Sequence, residues 1–150
     1  MIFQRFMKII KYLIQFIIIC VFYVIFKIIG VKLSSFLSGK LFEIIGPIFR
    51  SKKIVNNNIK KAFPDYNSKE LNKIKSSMWN NYGRVFAEYL YMKNFRNGNL
   101  SKNISIEGEE ILLNIKDQNQ KVVFISGHFS NFELMAMQID KIGIKIGAIY

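Results

Sequence analysis

"KVVFISGHFSNFELMAMQID", residues 121–140, decides how the chain reads. Its first six residues are an apolar run with β-branched members, suited to a strand buried on both faces. Residues 131–141 then read as a helix. Working outward, "NISIEG" alternates and predicts a short strand over 103–107. Glu109–Lys116 predicts a helix, and "IKIGAIY", 144–150, a third strand. Strand, helix, strand, helix, strand is the order of an α/β fold with a mostly parallel sheet and right-handed crossovers. Three strands leave the sheet incomplete, so the expectation is the N-terminal part of a longer protein.

Upstream the pattern is helical. Ser51–Phe63 spaces Ile54, Val55, Ile59, Ala62 and Phe63 along one face, with Lys and Asn opposite, and Pro64 stops it. Asn67 followed by Glu70 has the form of an N-cap. A long helix should run from there to about Met92, with Leu71, Ile74, Met78, Tyr82, Val85, Phe86 and Tyr89 as its core-facing stripe. Arg84 and Glu88 stand one turn apart and could pair.

The N-terminus is different. "YLIQFIIICVFYVIF", residues 12–26, carries no charge and is bracketed by Lys11 and Lys27. Extended to Ile9 and Ile29, it matches the roughly 20 residues that cross a bilayer core. No small-x-small cleavage site follows directly, so an uncleaved anchor is expected over 1–32. Arg5, Lys8 and Lys11 precede the span; Lys27, Lys32, Lys40, Arg50, Lys52 and Lys53 follow it. The positive-inside rule then favours a cytoplasmic C-terminal side by a small excess of basic residues. Leu33–Phe49 is a poor second span because it contains Lys40, Glu43 and serines; an interfacial or core-packed helix fits better, interrupted or ended at Gly46-Pro47. The domain expectation is therefore an anchor over 1–32, a helical interfacial and packing region over 33–100, and the start of an α/β domain over 101–150.

Twenty-two Lys and Arg against ten Asp and Glu make the net charge +12, which favours anionic partners. With an apolar N-terminus attached, anionic membrane lipid ranks first. Nucleic acid is not expected: no helix-turn-helix, zinc-finger or RNP-like pattern is present. The single cysteine, Cys20, excludes an internal disulfide framework and a cysteine-rich metal site.

His128, the only histidine, falls just past the predicted middle strand, where open α/β sheets build their sites. Gly127 lets the backbone turn sharply or a substrate approach closely. Glu133, five positions on, can meet His128 only if the histidine lies in the turn and Glu133 in the first helical turn. Glu133 could then orient the imidazole while its other nitrogen takes a proton from a hydroxyl. Two structural readings compete. A lone histidine is more often structural than catalytic, and "SNFE", Ser130–Glu133, is also a capping-box pattern. No P-loop, G-x-G-x-x-G or G-x-S-x-G is present, and one histidine with no cysteine nearby argues against a metal site.

These residues resemble the bacterial lipid A biosynthesis (lauroyl/myristoyl) acyltransferases. "GHFSNFE" resembles that family's G-H-x-x-N-x-E signature, which contains the H-x-x-x-x-[DE] acyltransferase motif. "NNNIKKAFPDYNSKE" resembles its N-x-x-x-x-F-P segment, "NYGRVFAEY" its G-R-x-x-x-E helix, and "IEGEEILLN" the elements before the motif. "GAIY" looks like the lead-in to a Tyr-Arg-Pro segment. Ser130 stands where the family often has Gly.

The resemblance implies transfer of a fatty acyl chain from acyl carrier protein to a hydroxyl of a lipid A precursor at the bacterial inner membrane. His128 would be the general base, Glu133 its orienting partner, and Asn131 a support for the turn or a substrate polar group. No metal or organic cofactor is implied. Two other readings stay open: an acyltransferase acting on glycerol phosphate or another glycolipid, and an inactive truncated remnant. The 150 residues alone are expected to be inactive.

Overall fold

The computed structural model describes residues 2–147, which contain six α-helices and two short 3-10 turns. They divide into two compact units, Met1–Leu90 and Tyr91–Tyr150.

The first unit holds α1 (Ile2–Phe49), α2 (Lys52–Ala62) and α3 (Ser68–Glu88). Its first helix is long and apolar enough to cross a membrane. It is not one straight rod. Gly30 takes φ 80° and ψ 164°, a backbone region that essentially only glycine occupies, and breaks the helix next to the end of the predicted span. Pro47 is accommodated inside the last turn, and the helix runs on to Phe49.

Residues 31–49 pack along α3 through small side chains. Ser34, Ser35, Ser38, Gly39 and Gly46 are buried on α1, and Gly83 and Ala87 on α3. The backbones approach so closely that a Cβ on Gly83 would collide with the Ser38 carbonyl and with Phe42 Cβ. Close approach of this kind needs small residues on both sides. The predicted stripe of α3 is therefore only half right. Leu71, Ile74, Met78 and Val85 are half-buried, whereas Tyr82, Phe86 and Tyr89 are exposed, because the contact line runs through Trp79, Gly83 and Ala87.

Asn67 begins α3 as the sequence implies. Its Oδ1 accepts from the Lys69 and Glu70 backbone N–H groups, and Glu70 Oε2 accepts from the Asn67 N–H at 2.8 Å. This reciprocal box satisfies donors that the first turn leaves open. The helix stops at Glu88 in a 3-10 turn, Tyr89–Tyr91, short of the expected Met92.

The second unit holds α4 (Met92–Asn97), α5 (Glu109–Asp117) and α6 (Glu133–Ile142). Tyr91, Phe95 and Ile139 are its buried apolar residues, and an Arg96–Asp140 ion pair at 2.6 Å joins α4 to α6. Both longer helices end in paired closing bonds around a left-handed residue, Asn119 after α5 and Gly143 after α6.

The α/β expectation is overturned here: among the described residues there is no strand and no sheet. Residues 103–107 and 121–126 lie in turns and irregular backbone, as do 144–147; residues 148–150, including most of "GAIY", lie outside the described residues. The physical reason is pairing. A helix closes its hydrogen bonds within its own segment, whereas a strand needs a neighbour to receive its N–H and C=O groups. These apolar runs have none, and Val123 and Ile125 are 87% and 94% exposed.

Candidate functional site

The segment from Lys121 to Ser130 connects α5 to α6 and is exposed throughout. Its local shape comes from three residues. Gly127 permits the Phe129 ring to fold against its backbone, where a Cβ would clash. The Phe129 N–H donates to the Gly127 carbonyl at 2.9 Å, closing a three-residue turn with His128 at its centre. Ser130 follows at φ +46°, a left-handed conformation uncommon outside glycine and short polar residues. The chain enters α6 three residues later.

Gly127, His128, Asn131 and Glu133 thus occupy one short strap at the N-terminal end of α6. His128 lies in the turn and Glu133 is the first residue of the helix, the arrangement their five-residue spacing requires. The side chains are not joined. The imidazole stacks on Phe132, with centroids 4.1 Å apart and planes 16° from parallel. Among the described residues no hydrogen bond or ion pair links it to Glu133. Asn131 and Glu133 are half-buried, and His128 is exposed.

The capping-box reading of "SNFE" is not realised. The N-cap of α6 is Phe132, which has no capping side chain, and Glu133 takes the first helical position instead of the third. What the turn offers chemically is an accessible imidazole beside the N-terminus of a ten-residue helix. Such a terminus carries partial positive charge suited to an oxyanion, while its Leu134 and Met135 N–H groups already donate to the Asn131 and Phe132 carbonyls at 3.1 and 3.0 Å.

The first unit holds polar contacts that spacing did not reveal. Arg84 Nε donates to Asn80 Oδ1 at 2.6 Å, one turn back along α3, where Glu88 one turn on was the expected partner. Glu88 instead accepts from the buried Ser35 at 2.9 Å, across the α1–α3 contact. Asn80 Nδ2 donates to Glu43 Oε1 at 2.6 Å, and Lys40 donates to both Glu43 oxygens. The Lys40 hydrogen bond, followed by that of Asn80, holds the Glu43 carboxyl below its ordinary value. Lys40, Glu43, Asn80 and Arg84 line an open cleft of about 570 Å³ with Phe36, Ser76, Ser77 and Asn81. Asn80 lies one turn before Arg84, which was a readable signal. The partners on α1 were not readable, since nothing local ties Glu43 or Ser35 to α3.

Comparison with known proteins adds the identity. The description of bacterial lipid A biosynthesis acyltransferases matches residues 1–150. No curated protein and no solved structure matches the chain. The match spans the whole sequence, from the apolar helix through "GRVFAE" to the His128 turn, and so the chain belongs to the bacterial lipid A biosynthesis acyltransferase family.

Proposed function

We propose that this chain serves transfer of a fatty acyl group from acyl carrier protein to a hydroxyl of a lipid A precursor, with His128 as the general base. The observation that carries the reading is the turn Gly127–Phe129, which holds the only imidazole in the chain at the entrance to α6 with Glu133 opening that helix.

The chemistry needs one base that serves twice. The imidazole takes the proton of the acceptor hydroxyl as its oxygen attacks the thioester carbonyl. The tetrahedral oxyanion is stabilised by the partial positive charge at the start of α6. The carbon–sulfur bond then breaks, and the imidazolium returns its proton to the leaving thiolate. Glu133 orients the ring and balances its charge while the ring is protonated. For that, the ring must leave Phe132. An aromatic stack is worth about 1 kcal/mol, which substrate binding readily offsets. Gly127 keeps the approach open, and Asn131 supports the turn or a polar group of the acceptor. The apolar helix over 9–29 anchors the chain in the inner membrane, with residues after it on the cytoplasmic side, where anionic lipid and the acidic carrier protein meet its positive charge.

The test is to express the gene carrying this sequence in cells lacking the late acyltransferase and to weigh their lipid A by mass spectrometry. One added acyl chain is expected. His128→Ala should lower the rate by about 10²–10⁴-fold, the usual contribution of general base catalysis. If the wild type adds nothing, the substrate reading fails; if His128→Ala acylates normally, the base is wrongly assigned.

A further inference from the structure

The part of α1 beyond the Gly30 break is built inside out. Its most buried positions are polar or small: Ser34 is 0% exposed and Ser38 1%, with Ser35, Gly39 and Gly46 beside them against α3, and the half-buried Phe42 is the large apolar side chain among them. Its outward face is large and apolar. Leu33, Phe36, Leu37, Ile44 and Ile48 recur at spacings that keep them on one side of a helix, opposite the serines. Ile44 is 74% exposed and Ile48 80%, and Phe49 ends the helix at 76%. A helix set against water carries its large apolar residues inward. A continuous apolar stripe turned outward marks a contact with something else.

Two further observations name that partner. The stripe continues the apolar helix over 9–29 in the same element, turned at Gly30, so the chain has just left the bilayer where the stripe begins. Lys40, the one charge along it, reaches sideways to Glu43 at 3.1 Å. The charge of the molecule is also concentrated here. Residues 1–90 hold fifteen Lys and Arg against four Asp and Glu, whereas 91–150 hold seven against six. Lys52, Lys53, Lys60 and Lys61 on α2 follow the stripe directly, and α2 contains no acidic residue.

We infer that residues 31–49 lie in the plane of an anionic membrane surface, with the Leu, Phe and Ile stripe in the boundary between headgroups and acyl chains. The Ser and Gly face carries α3 on the water side, and the lysines of α2 meet the headgroups. The protein thus touches lipid twice, through a span and through an in-plane segment set off by Gly30. This inference rests on the reading of 9–29 as a span.

Site-directed spin labelling separates the two. With Cys20→Ser as background, single cysteines are placed at Ile17 in the span, at Ile44 and Ile48 on the stripe, and at the exposed Lys73 of α3. The full chain is reconstituted in vesicles containing an anionic phospholipid. Collision with oxygen, which concentrates in lipid, is compared with collision with a water-soluble nickel chelate. Labels at 44 and 48 should be oxygen-favoured like the label at 17, and the label at 73 nickel-favoured. Oxygen preference at 17 with nickel preference at 44 and 48 overturns the inference and leaves the span standing. Nickel preference at 17 as well overturns the span and the inference with it. Spin–spin broadening at 48 that unlabelled protein relieves shows a second copy on the stripe, and overturns the inference too.

Discussion

The Ser34 hydroxyl reaches back across the break in α1 and lies 2.9 Å from the Phe26 carbonyl, while also lying 2.7 Å from that of Gly30. It ties the last turn before the break to the first turn after it, and both Ser34 and Phe26 are buried. A serine inside a helix commonly turns its hydroxyl to the carbonyl four residues back. Here that habit fixes a turn which the glycine backbone alone would leave loose.

Gly30→Ala and Ser34→Ala should therefore both loosen the docking of 31–49 on α3, for different reasons. A Cβ at Gly30 would meet nothing within 4 Å, so space is not the obstacle. The obstacle is the backbone conformation, which costs a non-glycine residue of order 1–3 kcal/mol. Removing the Ser34 hydroxyl costs about 1 kcal/mol. Thermal unfolding in detergent, followed by far-ultraviolet circular dichroism, should show a lower Tm for each. An unchanged Tm for Gly30→Ala would mean that the break is not needed.

Gly83→Ala should be more damaging than an ordinary glycine-to-alanine change in a helix, which usually stabilises. Here the methyl group would meet the Ser38 backbone and Phe42 Cβ. Overpacking of this kind typically costs 1–3 kcal/mol. The prediction is a lower Tm for Gly83→Ala, together with exposure of the Trp79 ring, which packs against Gly46 in the same contact. A red shift in tryptophan fluorescence reports it directly, because Trp79 is the only tryptophan. A raised Tm with unshifted fluorescence would refute the close approach.

What could be read from the sequence was what is decided within a few residues. The Asn67–Glu70 box closes inside one turn, so its two residue types predicted it. The helices at 109–117 and 133–142 followed from local periodicity for the same reason. "KVVFIS" misled because apolar β-branched residues state a preference for pairing and not the presence of a partner. The role of Gly83 was hidden because it depends on Ser38, far away in the chain. At the candidate site, spacing put His128 in a turn and Glu133 in the first helical turn as the condition for the two to meet. It missed the stack on Phe132, although a ring four residues from the histidine was there to be noticed.

Ser130 gives a prediction of opposite sign for two substitutions. Its φ of +46° disfavours most side chains, and β-branched ones most of all. Ser130→Gly should be neutral or raise stability by less than about 1 kcal/mol, since relief of strain is partly cancelled by the greater freedom of glycine when unfolded. Ser130→Val should lower stability and disturb the His128 turn. The check is the pair of Tm values, read beside the lipid A acylation of each variant. A Val substitution that leaves both unchanged would show that the turn tolerates any residue.

Glu43 predicts how the first unit responds to acid. Hydrogen bonds, first from Lys40 and then from Asn80, hold its carboxyl below the ordinary value of 4.5. A carboxyl lowered in the folded state binds fewer protons there than in the unfolded chain. Its contribution to stability is complete above the ordinary value and is lost as the pH falls through the lowered one. Glu43→Gln should thus lower Tm at neutral pH, and the gap from wild type should close as the pH falls below about 4.5. Every other residue is the same in the two proteins, so comparing the two pH profiles isolates Glu43. A gap that stays constant through the acid range would show that its charge does not hold α1 to α3.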